Sequence, residues 1–361
     1  MASLPNVMTV VGARPQFVKA AVVSRALAEV GIAENLVHTG QHYDANMSSV
    51  FFEELGLPPV SLSLGIGGGS HGQNTGRMIE ALETAILDMK PDLLLVYGDT
   101  DSTLAGAIAA SKLGVPIAHV EAGLRSYNRA MPEEINRILT DHVSELLFCP
   151  SAASCSILEG EGIDAARIHN VGDVMFDAVK QFSEVARNRS GIMEKLGLEK
   201  GGYSLLTFHR KENTDDTARL SSILEGIGRI AGKVLFPVHP RTRAKMQSAG
   251  LSAPANVIEI DPVGYFDMLL LESSARLIIT DSGGVQKEAY YHGVPCVILR
   301  DETEWTELVD ARASTLAGAS ADRIAKAAAE GLNRPVDKTD IYGDGLASVK
   351  IAEIIGIQTS F

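Results

Sequence analysis

The stretch DSGGVQKEA (281–289) follows the apolar run RLIIT and puts Asp, Ser and two glycines where a strand turns into a helix. The first four N–H groups of a helix have no partner inside it, and the helix dipole adds positive potential there. Such a turn can therefore hold an anion against the backbone. Ser282, Gly283 and Gly284 supply the turn. Glu288 lies one helical turn beyond Gly284 on the same face, where a carboxylate can take the vicinal hydroxyls of a ribose. A nucleoside diphosphate suits this order of groups.

The other chemically capable residues also cluster just after apolar runs. In GARPQFVK (12–19), Arg14 stands at a strand exit and Lys19 about one turn into a helix; Arg14 reads either as a surface charge or as a phosphate contact. GDTDST (98–103) carries Asp99 at its tip, although Asp, Ser and Thr there serve equally as helix caps. Glu121 ends the otherwise apolar VPIAHVE, and a carboxylate in such a place is costly unless paired or used. MPEEINR (131–137) begins a helix with Glu133 and Glu134, with Arg137 one turn on; an ordinary ion pair explains this spacing too. TFHRKEN puts His209 and Arg210 at a strand end, and PVHPRTR does the same for His239. Either histidine alone is more often structural.

Several chemistries are disfavoured. No GxGxxG follows the first strand, no GxxxxGK[ST] occurs, and no GxSxG elbow follows any of the apolar runs named below. No His, Cys, Asp or Glu set has zinc-site spacing, so neither metal nor cofactor is expected.

These groups need a scaffold of strands and helices in alternation. The apolar runs 6–12, 35–40, 92–98, 115–121, 146–149 and 167–172 form one series. A second comprises 203–209, 234–239, 256–260, 276–280 and 295–299. Runs this apolar, separated by helical patterns, indicate parallel strands covered on both faces. The expected fold is α/β, with two Rossmann-like doubly wound domains facing across a cleft. One spans 1–172 plus the returning tail 345–361, the other 173–344. Ligands of open α/β sheets bind beyond the carboxyl ends of the strands, so the cleft is the expected site. GIGGGSHG (65–72) reads as a mobile loop, or more weakly as a closing lid.

At 361 residues, two domains of ordinary size are expected. The net charge of −13, without a basic block, makes nucleic acid and anionic membranes poor partners. No run is long and apolar enough for a membrane span, and the N-terminus lacks signal-peptide character. Three cysteines without CxxC spacing suggest reduced thiols and a cytoplasmic location.

Taken together, GARPQFVK, GQHYD, YGDTDSTLAG, HVEAGLRS, MPEEINR, TFHRKEN, PVHPRTR, DSGGVQKEA and YGDGLAS, in that order, resemble the non-hydrolysing UDP-N-acetylglucosamine 2-epimerases. The resemblance implies a GT-B fold and inversion at C2 of a UDP-HexNAc, by elimination and re-addition of UDP through a 2-acetamidoglucal. It implies that Lys19, Asp99, Glu121, Glu133 and His209 are catalytic. Arg14, Ser282, Gly283 and Gly284 would hold the diphosphate and Glu288 the ribose, with Arg137 and His239 lining the cleft. Gln41, His42, Gln73, Glu134 and Arg210 match the positions of a second, effector UDP-sugar. A homodimer is also expected on this ground. A GT-B glycosyltransferase and a catalytically silent UDP-sugar sensor would share the UDP site, but Asp99, Glu121 and Glu133 argue for the epimerase.

The chain departs from the commoner family pattern at Ala13 and Gln16 (usually Thr and Glu), at Lys287 (usually an acid) and at RDETEW, 300–305 (usually containing Thr-Thr-Glu-Arg-Pro). These variants resemble the branch acting on UDP-2,3-diacetamido-2,3-dideoxy-glucuronate. A neutral Gln16 in place of an acid would spare a uronate from repulsion and could bond its extra amide.

Overall fold

The computed structural model describes residues 4–41, 52, 54–332, 334–337 and 340–357. It divides into two compact units, Met1–Ala178 with Asp340–Phe361, and Val179–Thr339. The division falls within the helix Val174–Arg189.

The first unit holds β1 (Asn6–Val11), β2 (Ala33–His38), β3 (Val60–Ser63), β4 (Leu93–Tyr97), β5 (Ile117–Val120), β6 (Leu146–Cys149) and β7 (Ile168–Asn170). They form one parallel sheet in the order β3-β2-β1-β4-β5-β6-β7. The second unit holds β8 (Tyr203–Thr207), β9 (Lys233–Pro237), β10 (Val257–Ile260), β11 (Leu277–Thr280), β12 (Cys296–Ile298) and β13 (Ser314–Leu316). Their order is β10-β9-β8-β11-β12-β13, again parallel. In both units the first strand pairs with the second on one side and the fourth on the other, as in a Rossmann sheet. This reversal opens a crevice at the carboxyl ends of β1 and β4, and of β8 and β11.

The central strands are apolar throughout because helices cover both faces: β4 is buried along its whole length, as are β6 and β11. Met8, Val10, Leu94 and Val96 pack with Met78, Leu82 and Ile86 of the helix His71–Met89. In the second unit Leu206, Phe236 and Ile279 pack with Leu220, Ile223 and Ile227 of the helix Thr217–Gly228. The sequence runs account for all strands except β3 and β13, which lie at sheet edges. β3 (VSLS) is largely exposed and β13 has only three residues, so neither leaves a buried apolar run.

The tail helix Ala347–Ile357 belongs to the first unit and packs on the helix Arg14–Glu29. Asp177 caps it, accepting from the backbone N–H groups of Ala347 (3.1 Å) and Ser348 (2.7 Å). The glycine-rich loop is pinned to the end of β2 by Leu64 N–H on His38 O and Ile66 N–H on Thr39 O. Ser70 and Gln73 then cap the helix that follows.

Candidate functional site

In the first unit the turns after β1, β4 and β5 are tied to one another and to the helix Pro132–Val143. Lys19 reaches from the helix after β1 to Glu121 at the end of β5, Nζ to Oε1 2.6 Å, with both side chains buried. Glu121 has φ of 74°, a left-handed backbone that a non-glycine residue adopts at a cost of about 1–3 kcal/mol. Gly98 also has positive φ, and a Cβ there would lie 3.4 Å from Lys19 Nζ and 3.5 Å from Glu121 Oε1. These are ordinary contact distances, and it is the positive φ that favours glycine at this turn. Next to it Asp99 accepts from Arg137, Nη1 to Oδ2 2.6 Å, and Asn136 Nδ2 donates to the Asp99 carbonyl at 2.9 Å. Glu133 sits half-buried in the first turn of the same helix, and Arg14 is half-buried at the start of the helix after β1.

Glu134 has a scaffolding part in this arrangement. Its carboxylate accepts from the backbone N–H groups of Ser126 (2.9 Å) and Tyr127 (2.8 Å), from Ser126 Oγ and from Arg137 Nε (3.1 Å). Burial alone would raise its pKa, but these donors and the Arg137 charge hold it below the ordinary value. Glu134 therefore orients Arg137, which in turn orients Asp99. Two other residues matched to the effector are also engaged: Gln41 Oε1 accepts from Ser102 N–H and Oγ, and Gln73 Oε1 from Ser70 N–H. His42 lies outside the described residues.

The expectation for Gln16 is corrected. Its side chain is buried, with Oε1 accepting from the N–H groups of Gly12 (2.8 Å) and Ala13 (3.0 Å). Nε2 faces the Tyr97 carbonyl (2.8 Å) and the hydroxyls of Thr100 and Thr103 (3.0 Å each). Every polar atom is spent stapling the turn after β1 to the turn after β4, which leaves none for a substrate amide.

The second unit has its own staple. Asp281, fully buried, accepts from the N–H groups of His209 (3.1 Å) and Arg210 (2.9 Å) and from Asn213 Nδ2, fixing the turn after β8 to the turn after β11. Beyond β11, Ser282 caps the helix Gly283–His292 without bonding it through its side chain. A Cβ at Gly283 would lie 2.7 Å from Glu304 Oε1 and 3.1 Å from Trp305 Nε1, so a side chain there would displace the Glu304 carboxylate. Burial would raise the Glu304 carboxyl, but the charges of Arg300 and Arg210 hold it low. Lys287 is buried with Nζ 4.0 Å above the Trp305 ring, a cation–π contact. Glu288 is buried one turn beyond Gly284.

His209 and His239 are exposed and stacked, ring centroids 5.3 Å apart, and His239 Nδ1 accepts from Arg241 N–H. They line a pocket of about 160 Å³ with Thr207, Phe208, Pro237, Pro262, Val263 and Met268. The pocket, the two staples and the Lys287–Trp305 contact were not read from sequence. Asp281 lay inside a motif already singled out, but the pocket is assembled from separate loops and leaves no local signal. Among the described residues no three His, Cys, Asp or Glu are grouped to hold a metal, and no helix is long and apolar enough to cross a membrane.

Two Rossmann-like parallel sheets, each with its functional groups at the carboxyl end, define a GT-B protein. A family profile described as UDP-N-acetylglucosamine 2-epimerase matches residues 25–356, and the chain belongs to that family. It is 52% identical to the UDP-2,3-diacetamido-2,3-dideoxy-D-glucuronate 2-epimerase of Pseudomonas aeruginosa, over 97% of this chain and 99% of that one. It is similar to the crystal structure of Methanocaldococcus jannaschii UDP-GlcNAc 2-epimerase in complex with UDP-GlcNAc and UDP. There the identity is 41% and the TM-score 0.91, over 97% of this chain and 99% of that one. The Neisseria meningitidis UDP-GlcNAc 2-epimerase bound to UDP-GlcNAc matches at 30% identity and a TM-score of 0.89, with the same coverage. The protein is an enzyme of this kind, a UDP-sugar epimerase.

Proposed function

We propose that the enzyme inverts C2 of a UDP-linked 2-acetamido sugar by eliminating and re-adding UDP. The observation that carries this reading is the pair of ion-paired carboxylates at one sheet's crevice, Glu121 with Lys19 and Asp99 with Arg137. C2 bears no adjacent carbonyl, so simple enolisation is closed to it. A carboxylate takes the C2 proton while the C1–O bond to the diphosphate breaks, its electron pair leaving on UDP and a C1=C2 bond forming. A proton then reaches C2 from the opposite face as a phosphate oxygen of UDP re-forms the bond to C1. Base and acid come from Asp99, Glu121 and Glu133. Arg14, His209 and the Ser282–Gly284 turn stabilise the departing UDP, and Glu288 holds its ribose. Turnover in D2O tests this: deuterium should enter C2 of the product, with traces of free UDP and glycal. Full retention of the original C2 hydrogen would exclude the route.

For the sugar, we favour UDP-2,3-diacetamido-2,3-dideoxy-glucuronate over UDP-GlcNAc. The 52% relative carries that substrate in its name. In addition, Lys287, seated on the Trp305 ring, stands where the commoner family pattern has an acid. The exchange leaves a net positive charge beside the anion-binding turn, which suits a substrate with one more carboxylate. Competition between the two sugars at equal concentration tests this, and a higher kcat/KM for UDP-GlcNAc would overturn it. We also read the enzyme as a cytoplasmic homodimer serving surface-polysaccharide synthesis. Its free thiols and acidic charge agree with that compartment, and light scattering of the purified protein tests the dimer.

A further inference from the structure

His119 belongs to none of the motif roles above, yet it is fully buried in β5 between two acceptors. Its Nε2 lies 2.8 Å from the Gly98 carbonyl oxygen and its Nδ1 2.7 Å from Asp141 Oδ1. A carbonyl oxygen only accepts, so Nε2 carries a proton. The Asp141 carboxylate receives the buried Arg125 guanidinium through Nη1 (2.7 Å) and Gly123 N–H (3.2 Å) on its other oxygen, a cation and a donor that a neutral acid would not match. It is therefore ionised and also accepts, so Nδ1 carries a proton too. Arg125 is anchored in turn by Glu161 through two bonds of 2.7 Å.

We propose that His119 is a positioning residue that works as a buried imidazolium, clamping the Gly98–Asp99 turn to the helix Pro132–Val143. That helix grips the turn at three consecutive points. Asp141 holds the Gly98 carbonyl through His119, Asn136 holds the Asp99 carbonyl, and Arg137 holds the Asp99 carboxylate. With the first grip gone, Gly98 can rotate its carbonyl, and Asp99 shifts relative to the Lys19–Glu121 pair beside it. The catalytic consequence rests on the epimerase reading, whereas the protonation of the ring does not.

The test has two arms. Long-range 1H–15N NMR of the wild-type enzyme at neutral pH should show both His119 ring nitrogens protonated; a lone-pair signal from either nitrogen overturns the proposal, whatever reaction the enzyme performs. In kinetics, His119→Phe should lower kcat on the order of 10²-fold with KM changed less than about threefold, since misplacement by an ångström is enough for such a loss. His119→Gln, which can still donate to Gly98, should recover part of it. Thermal melts followed by circular dichroism report folding of each variant. A folded His119→Phe enzyme with wild-type kcat overturns the positioning role. A wild-type enzyme that epimerises no UDP-HexNAc overturns the functional reading and leaves the NMR arm standing.

Discussion

Lys19 Nζ and Glu121 Oε1 are 2.6 Å apart in a place where both side chains are more than nine-tenths buried. Glu121 reaches that contact from a left-handed backbone, so the fold spends strain to aim this carboxylate. Removing one member of a buried pair leaves the other charge uncompensated, at a cost of about 3–5 kcal/mol. Lys19→Ala should therefore depress both Tm and activity. Glu121→Gln keeps the shape but cannot accept the proton, and should lower kcat on the order of 10²-fold. Thermal melts and steady-state kinetics on both variants check this; near-normal kcat in Glu121→Gln would move the chemistry elsewhere.

Asp99 and Glu288 should separate chemistry from binding. Asp99→Asn removes a proton acceptor while retaining a group that fits the place, so kcat should fall on the order of 10²-fold with little change in KM. Glu288→Ala removes a contact to the ribose that is equal in ground and transition states, so KM should rise with kcat nearly unchanged. The two patterns exchanged would reverse the assignments.

Gln16 now yields a different expectation from the one its sequence suggests. Its amide donates to the Tyr97 carbonyl, which a carboxylate cannot do. Gln16→Glu should lower stability and slow the uronate and UDP-GlcNAc alike, leaving the ratio of their kcat/KM values unchanged. Lys287→Met, which keeps the length of the side chain but removes its charge, should shift that ratio toward UDP-GlcNAc. A ratio that moves with Gln16 and not with Lys287 would return specificity to the first unit.

Much of the fold was legible because parallel strands covered on both faces leave unbroken apolar runs, and the turns after them carry Arg14, Asp99, Glu121, His209 and Ser282. Edge strands β3 and β13 lack such runs. What the sequence could not convey was the division of labour among the polar residues. Gln16 and Glu134 read as ligands, yet both face inward onto backbone N–H groups. His119 and Asp141 are 22 positions apart in the chain and become partners only when β5 and the helix Pro132–Val143 pack together. A spacing pattern records which residues lie beyond strand ends, but side-chain direction is decided by packing.

Glu272 offers a test of electrostatics that does not depend on the reaction. It is fully buried, neither carboxyl oxygen has a hydrogen-bond partner among the described residues, and burial raises its pKa well above 4.5, with the Glu288 charge pushing the same way. The folded state therefore keeps the acid protonated, while the unfolded chain ionises it near its ordinary value. Below that value the group costs nothing through ionisation; as pH rises from there toward the folded value, the unfolded state gains an ionisation that the folded state refuses, and stability is lost. Glu272→Gln has nearly the same shape and never titrates. The Tm of this variant relative to the wild type should thus be flat with pH below about 4.5 and climb steadily in the variant's favour toward neutral pH. Melting curves across that range give the difference directly. A difference independent of pH would mean that the carboxyl ionises in the folded protein as it does in the unfolded one, and that a partner for it exists.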